Sequence, residues 1–342
     1  MKSRSIYEIP IKTFLETIRQ NITKNYYYLN MFWMPIIEER AKRYVDSYAE
    51  DYLLNSIFRW CYLNNTEKLT ALEQEMKNLN DILTPSGFAS YQKIVMNDIV
   101  GNSIENNVHN RILDTRAEIR GMLYYAKLNY SIALEPKQPS KKTHDFNAIS
   151  TNSHIAVEAK FIRHPDKLGK YLKRWWQAQA EINGVRPLGY LPHVKFKWDE
   201  IDRDELSTQE IEKVKQFLKS VFEYPNSDNK LSFGRINISY SPTNKLEPVT
   251  TPLEEIEENP KYIQCKVDPL IRKIRDITDH ALKEQLAIPI KKGMGISCYL
   301  ILDLTSDIDF YHRKIFENKL TDLKNEFRLN GLNIITEEAH YL

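Results

Sequence analysis

The sequence predicts a mixed α/β (α+β) protein with a helical N-terminal region. Three observations lead there. Apolar residues recur at helical spacing through most of the first 130 residues. Three short apolar segments then follow one another between residues 130 and 162, joined by polar connections. Near the end, the apolar run from Ile296 to Leu304 has the look of a buried strand, and a helical pattern and another short strand come after it.

Taken in order, Ile11 to Ile22, Glu39 to Leu63, Glu67 to Leu83 and Tyr91 to Val100 each carry a helical apolar period. Asn64 with Glu67 reads as a capping box for the third of these. Pro85-Ser-Gly87 breaks the chain before the fourth. Tyr26, Tyr27, Tyr28, Phe32 and Trp33 form an aromatic cluster, for which core is the commoner role and a partner surface the other. A long helix is expected over 103–128, with Ile104, Val108, Ile112, Ile119, Leu123 and Ala126 as its stripe and Glu118 beside it. Strands follow at Tyr130–Leu134, 144–150 and 154–162, and a helix from Asp166 to Ile182.

Residues 186–290 read as an inserted α+β lobe. Strands are expected at His193–Trp198 and Leu231–Tyr240, and Ser207 with Glu210 caps a helix running to Phe222. Residues 241–261, rich in Pro, Thr and Glu, read as a loop. A helix over Asp268–Leu286, the strand at 296–304, a helix over 310–329 and a strand at 332–336 complete the chain. Asp303, Asp307 and Asp309 are expected to cap the helix at 310. The domain reading is 1–100 helical, 101–185 and 291–342 two parts of one core, and 186–290 the lobe between them.

Composition narrows the class. The chain has 342 residues, enough for more than one packed unit. Its 42% hydrophobic and 27% charged residues are those of a globular protein. No apolar run is long enough to span a bilayer, and residues 1–8 lack a signal core, so a cytoplasmic location is expected. Cys61, Cys265 and Cys298 are too few and scattered for a disulfide framework or a cysteine zinc site, and are expected to be buried as small hydrophobes. No glycine-rich phosphate loop occurs, so any ATP-dependent step would need a separate subunit.

The segment from Asp145 to Lys160 carries the chemistry. Residues 144–150 and 154–162 are joined by Thr151, Asn152 and Ser153, the residue types of a tight turn. A hairpin turning between Thr151 and Asn152 sets Asp145 opposite Glu158, with Cβ atoms about 5 Å apart on one face. Lys160 lies two residues on and shares that face. Two facing carboxylates destabilise a sheet unless a cation compensates, and both a metal and Lys160 could do so. The plain alternative is an ordinary salt-bridged face.

The order of helix with Glu118, strand, strand with Asp145 and strand with Glu158-Ala159-Lys160 resembles the core of the PD-(D/E)XK nuclease superfamily, the restriction-endonuclease-like fold. The likeness covers about 103–182, with a continuation near 296–337. It departs from the family pattern at His144, where the family name has Pro. The resemblance implies a central mixed sheet flanked by helices. It also implies Asp145, Glu158, Lys160 and Glu118 as catalytic residues. Asp145, Glu158, the Ala159 carbonyl and Glu118 would be the ligands of Mg2+, with Mn2+ as a substitute.

Magnesium takes oxygen ligands, typically one or two carboxylates with waters and substrate phosphate. Lys160 would orient the attacking water or stabilise charge developing on the phosphate. The net charge is only +2, so positive charge must be concentrated locally to hold nucleic acid. Lys141 and Lys142 precede the site, while Arg163, Lys167, Lys170, Lys173 and Arg174 follow it. These are the expected DNA contacts, a solvated helix face being the alternative.

The expected function is therefore metal-dependent cleavage of DNA, the sequence not separating DNA from RNA as the substrate. A prokaryotic restriction or anti-phage setting is expected, as a homodimer or gated by a partner such as an ATPase or helicase. The rival is an inactive nuclease-like module that binds nucleic acid or a partner protein.

Overall fold

The computed structural model describes residues 9–42, 49, 56–101, 105–135, 143–163, 229–233, 236–240, 267–304 and 310–339, and isolated residues between 209 and 220. The expected helix at 166–182, strand at 193–198 and loop at 241–261 lie outside the described residues.

Among the described residues, six helices come first. Helix α1 (Ile11–Ile22) buries Ile11, Phe14, Ile18 and Ile22, the stripe its spacing dictates. Helix α2 (Tyr27–Ala41) replaces the expected start at Glu39. It buries Leu29, Phe32, Trp33, Met34, Ile36 and Ile37, so it is apolar nearly all round and shows no clean period. Its first turn is capped from a distance, because the Glu73 carboxylate accepts the Tyr28 and Leu29 N–H groups at 2.9 and 2.7 Å. The aromatic cluster is mostly core: Phe32 and Trp33 are fully buried, and Tyr27 is exposed.

Helix α3 (Ser56–Leu63) ends where Asn64 adopts a positive φ of 50°. The cap of α4 (Thr66–Ile82) is consequently Asn65 rather than Asn64, its side chain accepting the Lys68 N–H at 3.2 Å. Helix α5 (Pro85–Gly101) begins at the expected break. Pro85 needs no donor in the first turn, and the Thr84 hydroxyl accepts the Gly87 N–H. Helix α6 (Glu105–Lys127) is the long helix predicted over 103–128.

A five-stranded mixed sheet follows α6. Strands β1 (Ser131–Leu134), β2 (Phe146–Ile149) and β3 (His154–Arg163) form an antiparallel meander. Phe146 pairs with Val157 and Ile149 with His154, the register predicted from the turn. The turn closes with the Ser150 N–H on the Ser153 carbonyl at 2.8 Å.

Strands β4 (Asn229–Phe233) and β5 (Ile236–Tyr240) make a separate two-stranded hairpin where one strand was expected. Helix α7 (Asp268–His280) runs on into a π-helical turn at Ala281–Gln285, and the two together account for the apolar pattern over Asp268–Leu286. Helix α8 (Ala287–Lys291) leads into β6 (Gly295–Asp303); α9 (Phe310–Leu329) and β7 (Leu332–Glu338) close the chain. Strand β6 lies parallel to β3 and β7 parallel to β6, giving the order β1-β2-β3-β6-β7.

Both faces of the central strands are covered, as parallel neighbours require. Val157, Ala159 and Phe161 of β3 join Ile119 and Met122 of α6 in a core continuous with helices α1–α5. Ala156 and Ile162 join Leu270 and Ile274 of α7 and Phe316 and Leu320 of α9 on the other face. Gly121 lets α6 approach closely, since a Cβ there would lie 3.3 Å from the rings of Phe146 and Tyr299. Cys61 and Cys298 are buried, as expected, and Cys265 lies outside the described residues. No described helix is long and apolar enough to cross a membrane.

Candidate active site at the free edge of β3

Strand β3 is longer than its partner β2. Pairing stops at Phe146 opposite Val157, and among the described residues no strand flanks the rest of β3 on that side. Carboxylates take over. The Asp145 N–H donates to the Val157 carbonyl at 3.0 Å, fixing the residue just beyond β2. Its carboxylate then accepts the Ala159 N–H at 2.9 Å. One step further, Asp114 of α6 accepts the Phe161 N–H at 3.1 Å. Backbone groups of alternate residues point the same way along a strand, so the Ala159 carbonyl faces this edge too.

Glu158 and Lys160 project from the face that also carries Ala156 and Ile162. Glu158 is only 2% exposed and stands beside Cys298 of β6. Its Oε1 meets the Lys160 Nζ at 2.9 Å, and its Oε2 is buried with no hydrogen-bond partner. Burial, and then the Asp145 charge, push the Glu158 carboxyl up to about 8 against the lowering pull of Lys160. Burial alone would lower the Lys160 ammonium. The charges of Asp145, Glu158, Asp114 and Glu118 outweigh it and hold Lys160 well above its ordinary value.

Glu118 lies in an adjoining network and is 2% exposed. Arg111 donates to its Oε1 at 2.5 Å, and the Tyr91 hydroxyl to its Oε2 at 2.8 Å. Arg111 also pairs with Asp98 at 3.0 Å. Burial, then the Glu118 charge, hold the Tyr91 hydroxyl well above its ordinary value, so it remains a donor. Both Glu118 oxygens are therefore engaged by α5 and α6.

The structure thus brings together Asp145, Glu158, the Ala159 backbone and Lys160, with Glu118 within electrostatic reach. Arg163 ends β3, and its side chain lies outside the described residues. Lys141, Lys142, Lys167, Lys170, Lys173 and Arg174 also lie outside them.

Asp114, Arg111 and Tyr91 are site residues that the sequence reading did not single out. Asp114 and Arg111 sit four and seven residues before Glu118 on one helix, a spacing that shares a face and could have pointed to them. Tyr91 gives no comparable signal. Compared with protein families, characterised proteins and solved structures, the chain matches none.

Proposed function

We propose that this edge is the active site of a metal-dependent nuclease acting on DNA, built on a restriction-endonuclease-like core. The observation that carries the reading is Glu158 Oε2, a buried carboxylate oxygen without a hydrogen-bond partner, with the Asp145 carboxylate near enough for its charge to act on it. An orphaned buried acceptor of this kind is costly unless something supplies positive charge.

The donor set fits a hard divalent cation. Asp145, Glu158 and the Ala159 carbonyl offer oxygen only. Among the described residues no group of three or more His, Cys, Asp or Glu is arranged to hold a metal. Two carboxylates are nevertheless what a magnesium ion commonly takes, the remaining positions going to water and substrate phosphate. When bound, such an ion polarises a phosphoryl oxygen and acidifies water.

The chain supplies the rest. The Ala159 N–H orients Asp145. Lys160, charged over the whole working pH range, presents its ammonium to a phosphate at the edge and stabilises the negative charge that builds there during in-line displacement. Asp145, Glu158 and Asp114, with a smaller part from Glu118 clamped by Arg111 and Tyr91, keep Lys160 protonated against its burial.

The test is cleavage of supercoiled and linear DNA, and of RNA, with magnesium or manganese. Wild type runs beside Glu158→Ala and Lys160→Ala, with metal binding followed by calorimetry. Metal-dependent nicking lost in both variants is the expected result. Metal binding without cleavage moves the reading to a partner-gated enzyme. Neither binding nor cleavage leaves the inactive binding module.

A further inference from the structure

A groove of about 600 Å³ runs between α4 and α6, away from the candidate active site. Arg116 in its wall stands two residues, or about 200°, round α6 from both Asp114 and Glu118. Helical spacing builds the walls. Arg116, Arg120, Leu123 and Lys127 recur three or four residues apart and share one face of α6. Lys68, Ala71, Glu75 and Asn78 do the same on α4. Tyr299 of β6 and Glu337 of β7 complete the lining at the sheet.

The charges in the groove do not balance. Four basic side chains, Lys68, Arg116, Arg120 and Lys127, meet three acidic ones, Glu67, Glu75 and Glu337. The acids are already served. Glu337 accepts from Arg120 on one oxygen and from the Tyr299 hydroxyl on the other. Glu75 accepts from Arg116 Nη2 at 2.9 Å on Oε2, and its Oε1 lies 3.9 Å from Arg120 Nε. Glu67 is exposed in the first turn of α4, where the helix dipole favours negative charge.

Arg116 is not served. It is the most deeply buried charged side chain of the groove, 5% exposed, and its Nε and Nη1 are buried without an acceptor. A guanidinium cannot shed its proton, so burial cannot silence these donors by neutralising them. Buried charged donors left unmade are costly, and an oxyanion is the group that answers both their hydrogen bonding and their charge.

We propose that this groove binds a small organic anion, whose carboxylate or phosphate oxygens accept from the Arg116 nitrogens that Glu75 leaves unused. The apolar body of the ligand lies against Ala71, Leu123 and Tyr124. Lys68 and Lys127 add the positive field that draws it in. A volume of about 600 Å³ is that of a small-molecule pocket and exceeds what a bare ion fills. The site is independent of the nuclease reading.

The test titrates the whole chain with benzoate, phenyl phosphate and neutral benzamide by calorimetry, and follows the Arg116 Nε–H by NMR. Arg116→Lys identifies that signal and removes the unused nitrogens while leaving a cation for Glu75. At least one anion is expected to bind about tenfold more tightly than benzamide, to move the Arg116 signal, and to lose about tenfold in the variant. Benzoate binding ahead of phenyl phosphate identifies a carboxylate ligand, and the reverse order a phosphate ester. Benzamide binding as tightly as both anions, an Arg116 signal that stays in place, or anion binding at full strength in Arg116→Lys overturns the site. The comparison of the three probes uses wild type alone, so it decides even where the variant unfolds.

Discussion

Glu158→Gln changes one atom type in the most strongly perturbed carboxyl of the edge, and its effect on stability can be worked out. The wild-type carboxyl titrates near 4.5 when unfolded and at about 8 when folded. Between these values the folded protein holds a proton that the unfolded chain has released. Wild-type stability therefore falls as the pH rises through this window, by about 1.4 kcal/mol per unit from this group. The loss reaches on the order of 4 kcal/mol by about pH 8 and is flat above.

Glutamine titrates nothing there and keeps an oxygen for Lys160. The variant should be close to wild type at about pH 5 and several kcal/mol more stable at about pH 8. Denaturant unfolding with a chelator present, from about pH 5 to about pH 9, measures the difference directly. Parallel curves for the two proteins across the window would refute the account of a desolvated, Asp145-facing carboxyl.

Other outcomes follow from the same geometry. Magnesium at about 100-fold its dissociation constant should raise wild-type stability by about 2.7 kcal/mol and leave Glu158→Gln unmoved, read as a thermal shift. Arg111→Ala strands the buried Glu118 charge and should cost about 3–5 kcal/mol, whereas Tyr91→Phe, losing one hydrogen bond to it, should cost about 1–2, both by urea titration. Gly121→Val drives branched carbons into the Phe146 and Tyr299 rings and should lose about 1–3 kcal/mol. Cys61 is buried with its thiol pushed up to about 12, and Cys298 higher still. Both should resist thiol reagents until the protein unfolds, as mass spectrometry of labelled peptides would show.

Much of this arrangement could be read from residue order alone. Helix α1 and the β2–β3 register are local, set by a clean apolar stripe and by a short polar turn, and the structure keeps both. The expected pairing of Asp145 with Glu158 is not kept, because β2 ends at Phe146 and Asp145 instead bonds the Val157 carbonyl and the Ala159 N–H. Helix α2 hid because its burial runs nearly all round, which erases the period, and because its cap, Glu73, comes from another helix. The place of β6 beside β3 joins segments far apart in the chain, and no local pattern encodes that. Asp114 was missed for a similar reason: it looks like any helical Asp until α6 is laid along the strand edge.

That edge has a consequence for laboratory controls. An exposed row of strand N–H groups is a template on which another chain can add itself, and proteins guard such rows with inward-pointing charge. Here Asp145 and Asp114 stand guard over Ala159 and Phe161. Asp145→Ala, the obvious test of the proposed chemistry, therefore also strips the Ala159 N–H of its acceptor, and any loss of solubility would be mistaken for misfolding. Asp145→Asn keeps an oxygen on the Ala159 N–H, and it separates the proposed chemistry of this residue from its role in satisfying the strand edge.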